Sequence, residues 1–232
     1  DVNGVNDHGS TPLHLAVASQ NIDAVKTILT HFGMEAATPN VSNQQLPPGT
    51  PLHALQQCVN LNPSADSNGN TLLHLCCMAG FDYLPLAKKI LEEHPELIGA
   101  TNNAGATPLH CSLHNAHGRV SAMLLHRGAS IVAGDSKGVT PLHLSSSADD
   151  IGILRTMLLA CQSKASKSEQ EESKNRQNGG VATPPMQVLC DFISLEEKDL
   201  SGCTALHIAA LKGARRAVDF LLKNGADVNA EA

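Results

Sequence analysis

The chain has 232 residues, of which 42% are hydrophobic, and carries a formal net charge of −6. An acidic balance with no block of Lys or Arg excludes the usual electrostatic footprint of direct nucleic-acid binding, and no apolar run of about 18 residues is present to cross a membrane. With no tryptophan and one tyrosine, Tyr83, any core must come from Leu, Ala, Val and Ile, enough for one large domain or two small ones.

The polar opening "DVNGVNDHG" offers no signal peptide. It leads into Asn6-x-x-Gly9-x-Thr11-Pro12-Leu13-His14. Asn and Gly form turns, the one by bonding nearby backbone and the other by tolerating positive φ. Thr is an N-cap, and Pro fits the first helical position, where no N–H is needed. The pattern predicts a turn, a short helix through "LAVAS" and a second helix over "AVKTILTHFG", a first repeat of about 6–33. Residues 34–49 then read as extra loop. Thr50-Pro51-Leu52-His53 opens a half-repeat with one helix, about 50–61, because the next start, Thr71-Leu72-Leu73-His74, follows after only 21 residues.

Asp66 and Gly69 open a full repeat of about 66–100. Asn102, Gly105 and Thr107–His110 open the next, about 102–132, and Asp135, Gly138 and Thr140–His143 the one after, about 135–161; the step from Thr107 to Thr140 is 33 residues. Residues 162–182 are charged and rich in Ser, Gln and Asn, and predict a disordered insertion. Thr183-Pro184-Pro185-Met186 marks a second half-repeat, about 183–195. Asp199, Gly202 and Thr204-Ala205-Leu206-His207 open the last full repeat, about 199–230. All belong to a single domain, 1–232. Both ends match the joint between two repeats and lack polar caps, and there is no initiator methionine, so we expect a parent chain that continues in both directions.

The order turn, helix, loop, helix around T-P-L-H, at a period near 33, resembles the ankyrin repeat. The stretch "DLSGCTALHIAALKGARRAVDFLLKNGADVNA" is similar to that family's consensus over nearly its whole length. The resemblance implies an all-α solenoid of stacked helix pairs with protruding β-turns, here interrupted by two inserts and two half-repeats. It implies a non-enzymatic module that takes a protein or peptide segment along a concave face. Such a module acts within a larger intracellular protein, or as the regulatory or substrate-recruiting arm of an enzyme or channel whose catalytic part lies elsewhere.

In the family the repeated histidine tethers adjacent repeats, which assigns a structural role to His14, His53, His74, His110, His143 and His207. "HCSLHNAH" also sets His110, His114 and His117 at i, i+4 and i+7, a spacing compatible with zinc. His110 already has the tether role and no HExxH glutamate is present, so no metal or cofactor is expected. Nucleophile-elbow, P-loop and dinucleotide fingerprints are absent from the sequence. Seven cysteines, an odd number with Cys76 and Cys77 adjacent and no C-x-x-C pair, fit a reducing intracellular compartment, cytoplasmic ahead of nuclear.

By the resemblance, partner contacts fall on the turn tips and the ends of the first helices. These are Asp7, His8, Ser10 and Ser19; Ser67, Asn68, Asn70 and Met78; Asn103, Ala106, His114 and Asn115; Lys137, Val139 and Ser147; and Leu200, Cys203, Leu211 and Lys212. The strip is small, polar and nearly uncharged, without the aromatic and Arg anchors of most hot spots. The partner is therefore expected to bring the large side chains, with Met78 and Leu211 as the best apolar contacts. "LLKNGADVNA" is also similar to ankyrin segments whose Asn is hydroxylated, which nominates Asn229; an ordinary turn role is the competing reading.

Overall fold

The computed structural model describes residues 4–31, 65–160 and 195–231. Every regular element among them is helical. The chain divides into two compact bodies, Asp1–Asn103 and Ala104–Ala232.

In the first body, α1 (Pro12–Ala18) pairs with α2 (Ile22–His31), and α3 (Leu72–Ala79) with α4 (Leu84–Glu93). Short 3-10 turns at Phe81–Tyr83 and Pro95–Gly99 flank α4. Helix α1 packs directly on α3, and Leu13, Val17, Leu73, Cys77 and Ile90 are buried in the core.

In the second body the pairs are α5 (Pro108–His114) with α6 (Gly118–His126), α7 (Pro141–Ser147) with α8 (151–160), and α9 (Ala205–Lys212) with α10 (Arg215–Lys223). Helix α5 packs on α7, and α7 on α9. Leu142, Leu154, Leu195, Ala209, Ala217 and Leu221 share one apolar cluster there. The small alanines let the helices of a pair approach closely while the leucines fill the gap between pairs. The inserts 34–49 and 162–182 lie outside the described residues. So do the expected half-repeats 50–61 and 183–195, apart from Leu195.

The first helices all begin in the same way. Thr11, Thr71, Thr107, Thr140 and Thr204 adopt extended backbone and cap the helix that follows. The histidine three residues on answers through Nδ1, which accepts the threonine N–H at 3.1 to 3.3 Å. This is a capping box with histidine where Glu or Gln is usual.

The turns are closed by side chains. Oδ1 of Asn6, Asp66, Asp135 and Asp199 accepts the N–H groups two and four residues ahead, at 2.8 to 3.0 Å. Neighbouring turns then meet edge to edge. Asn103 N–H donates to the Asn68 carbonyl at 3.0 Å in the first body. In the second, Ser136 N–H donates to Ala104 and Leu200 N–H to Lys137, both at 2.9 Å. The Lys137–Leu200 bond keeps the register of Ala104–Ser136 despite the longer sequence between its partners. Close approach explains the turn glycine: Gly105 has φ +71, and a Cβ there would lie 2.7 Å from Ser136 N.

Candidate interaction surface

The histidine tether has a definite geometry in the second body. Since Nδ1 of His110 accepts from Thr107, the ring proton belongs on Nε2, which lies 3.0 Å from the carbonyl of Val139 and donates to it. His143 repeats the arrangement with Thr140 and the carbonyl of Cys203, at 3.1 Å. Burial pushes the His110 imidazole below its ordinary pKa, and its bond to Val139 pulls the other way. Both ring nitrogens of His110 are engaged, so it cannot join His114 and His117 as a metal ligand without opening the turn. Among the described residues no group of three His, Cys, Asp or Glu side chains is placed to hold a metal. The buried thiols are held protonated: burial drives Cys76 far up, and pushes Cys111 up to about 11.

The expected contact residues divide by exposure. Asp7, His8, Ser19, Ser67, Asn68, Asn103, His114, Asn115, Lys137, Leu200, Leu211 and Lys212 are exposed, while Met78, Ala106, Val139, Ser147 and Cys203 are half-buried. Ser10 and Asn70 are buried. Each gives its N–H to the turn residue Asn6 or Asp66, and the amide of Asn70 is further used by Asp66 and Asn102, so little of either side chain is left for a partner. Several of these residues are also tied down within their own body, which stiffens the turns and helix ends. The amide of Asn103 donates to Ser67 O, that of Asn115 to Cys111 O, and the hydroxyl of Ser147 to Leu144 O. In the last repeat, Leu200 on the turn is 80% exposed and Leu211 at the end of α9 is 81% exposed. An aliphatic side chain left this open has surface to give to a partner.

One contact escaped sequence reasoning. Ala214, at the N-cap of α10, has no side chain able to cap. Asp149, from the preceding repeat, supplies the cap instead: its Oδ1 accepts Ala217 N–H at 2.7 Å. The partners are 68 residues apart, and no local pattern joins them.

The ankyrin-repeat family model matches residues 8–44 and 201–232, and the model for three consecutive ankyrin repeats matches residues 73–171. The chain belongs to the ankyrin-repeat family. Among similar proteins, this ankyrin-repeat chain is 28% identical to the B-cell lymphoma 3 protein homolog of Mus musculus, over 96% of the chain and 46% of that protein. It is 26% identical to the B-cell lymphoma 3 protein of Homo sapiens, over 77% of the chain and 34% of that protein. It is also 26% identical to the human transient receptor potential cation channel subfamily A member 1, over 97% of the chain and 16% of that protein. The chain thus spans less than half the length of these relatives. Ankyrin repeats are protein-interaction modules, and this array is one. No helix among the described residues is long and apolar enough to cross a membrane.

Proposed function

We propose that this array is the partner-recognising part of a larger intracellular protein. It holds an extended segment of another protein along the face made by its turn tips and first-helix ends. The observation that carries this reading is the pairing of a stiff polar strip with two open leucines, Leu200 and Leu211. The polar turns supply hydrogen bonds and register, and the leucines take apolar side chains brought by the partner. The experiment is affinity capture from cell extract with the wild-type chain and a Leu200→Asp/Leu211→Asp double variant. Both positions are solvent-facing, so the variant keeps its melting temperature and loses the partner. Recovery of the same partners by both chains would refute the assignment of this face.

A second reading is that the array is a regulatory arm of an enzyme or channel. What favours it is the alignment of nearly the whole chain with a small part of a cation channel subunit. The parent protein separates the two readings: deleting the array changes a catalytic rate or an ion current only on the second. On either reading Asn229 is proposed as a hydroxylation target. It is exposed, with its N–H on the Asp227 carboxylate at 2.9 Å. Peptide mass spectrometry of the protein from its native cells reads the added oxygen, and an unmodified Asn229 removes the proposal.

A further inference from the structure

Helices α6 and α10 end alike. Arg127 and Asn224 follow them, Gly128 and Gly225 take φ +92 and +94, and the N–H groups of Ala129 and Ala226 donate back to Leu124 and Leu221 at 3.0 and 3.1 Å. At the next residue the two repeats differ: one has Asp227, the other Ser130. Asp227 closes its loop with a charge, since its Oδ1 accepts the N–H of Asn229 at 2.9 Å. Ser130 is exposed. Neither its hydroxyl nor the N–H of Val132, the counterpart of Asn229, has a hydrogen-bond partner among the described residues. Residues 129–134 form no regular structure, and Ser130, Val132 and Gly134 are exposed while Ala129, Ile131 and Ala133 are more covered. Ile131 packs on the apolar cluster of the second body, so the loop is anchored at its base with Ser130 in solvent. Three residues before Ser130 stands Arg127, also exposed. Of the other arginines, Arg119, Arg155, Arg176, Arg215 and Arg216, none has a serine or threonine three residues after it.

We propose that Ser130 is a phosphorylation site for an arginine-directed serine kinase, and that its phosphate closes the 130–132 loop as the Asp227 carboxylate closes 227–229. In the transfer, Ser130 Oγ bonds to the γ-phosphorus of a nucleoside triphosphate. The bond from that phosphorus to the oxygen bridging it to the β-phosphate breaks, and the nucleoside diphosphate leaves. The hydroxyl proton passes to the base of the kinase. Arg127 offers the kinase a cation at a fixed distance from the acceptor, suited to carboxylates in its cleft. It lies just past His126, the last residue of α6, so the segment from Arg127 to Ile131 can be engaged without unwinding that helix. Once attached, the phosphate carries a charge of about −1.5 to −2 and accepts the N–H of Val132. The negative end of the α6 dipole opposes this charge, and the cation of Arg127 at the same end offsets it. Ser130 lies outside the proposed partner strip, so this inference stands apart from the recognition reading.

The test treats the folded chain with magnesium ATP and calmodulin-dependent protein kinase, which selects arginine three residues before its serine. A peptide of residues 123–134 is the reference, and site-resolved mass spectrometry reads the product. Phosphate is expected on Ser130 in both substrates. Arg127→Gln is expected to lower kcat/KM at Ser130 by about tenfold or more in chain and peptide alike. The peptide arm separates recognition from folding: a loss confined to the folded chain would overturn the role given to Arg127. Ser130 left unmodified in the folded chain, whatever the peptide does, overturns the site. Amide hydrogen exchange then tests the closure. In the phosphorylated chain, and in Ser130→Asp, exchange of the Val132 N–H should slow by about fivefold or more, whereas Ser130→Ala should match the unmodified wild type. Unaltered exchange at Val132 after phosphorylation overturns the loop closure.

Discussion

The imidazole of His143 donates to the carbonyl of Cys203, 60 residues ahead, at 3.1 Å, while His110 makes the same bond to Val139, only 29 residues ahead, at 3.0 Å. One geometry spans two sequence separations because the tether joins neighbours in the stack, whatever chain runs between them. Truncating His143→Ala removes this bond and the reciprocal cap on Thr140, and leaves buried groups without partners. The expected loss is about 2 kcal/mol, or roughly 5 °C in melting temperature for a chain of this size. Urea denaturation measures it, and a loss below about 0.5 kcal/mol would mean that the tether is incidental.

Two glycine-related substitutions have opposite expected signs. Gly105→Ala forces a side chain into a left-handed backbone and against the Ser136 N–H, so it destabilises by about 2 kcal/mol or more. Ala116, in the loop between α5 and α6, has φ +56, where an L-residue is strained and glycine is not. Gly213 occupies the equivalent position in the last repeat, with φ +68. Ala116→Gly is therefore expected to stabilise by about 0.5 kcal/mol. Matched thermal melts of the two variants check the pair, and stabilisation by Gly105→Ala would contradict the turn-to-turn packing.

Stability should fall on mild acidification, with His110 contributing. Burial lowers its folded-state pKa beneath the ordinary value of 6.5. Below that value the unfolded chain binds a proton that the folded chain resists, so stability rises with pH there and levels off above it. The contribution is complete above about pH 6.5 and drains away as pH drops toward the folded-state value. The urea midpoint is expected to be flat from about pH 8 to 7 and to decline from about 6.5 to 5. His110→Gln should show a shallower decline than wild type. Equal slopes in the two proteins would assign the acid sensitivity elsewhere.

Thiol reactivity should sort by depth. Cys76 and Cys77 are fully buried and Cys111 nearly so, whereas Cys203 is half-buried at the edge of its turn. Thiolate formation in the interior is suppressed by burial, and the thiolate is the reacting species. Brief alkylation followed by peptide mass mapping is expected to label Cys203 well before the other three. Equal labelling of Cys76 and Cys203 in native buffer would show that the α3 core opens readily.

Much of the fold was legible because its determinants are local. A capping threonine, a first-turn proline, leucine or alanine, and a glycine at positive φ act within a few residues of one another, so each recurring tetrapeptide marks where α1, α3, α5, α7 or α9 begins. The tether was legible through resemblance alone, since nothing within one repeat says which carbonyl His110 will find. The surface was less legible. Ser10 and Asn70 are small and polar like their exposed neighbours, and only the closed turn shows that Asn6 and Asp66 have drawn them in. The openness of Leu222 and Val228 was invisible for a different reason. Their sequence is that of a covered interface, and exposure depends on what stands next to it in space.

The Asp149–Ala217 contact is where this nonlocality carries most consequence. Helix α10 has nine residues and an alanine cap, so its first N–H groups and the positive end of its dipole need an external acceptor. Asp149 suits the task on two counts. Its backbone is left-handed, at φ +53, a conformation that Asp tolerates better than most residues. That backbone also turns the carboxylate outward to Ala217 N–H at 2.7 Å. Asp149→Ala keeps the backbone strain and removes the cap, so it should cost about 1 to 2 kcal/mol. Asp149→Gly relieves the strain while still losing the cap, and should cost less. Asp149→Asn keeps an acceptor without the charge and should fall closest to wild type. Hydrogen exchange in α10, read beside the melting temperatures, distinguishes a cap from a general packing role: the loss should concentrate in the first turn of α10. Uniform loss across α7, α8 and α10 would contradict it.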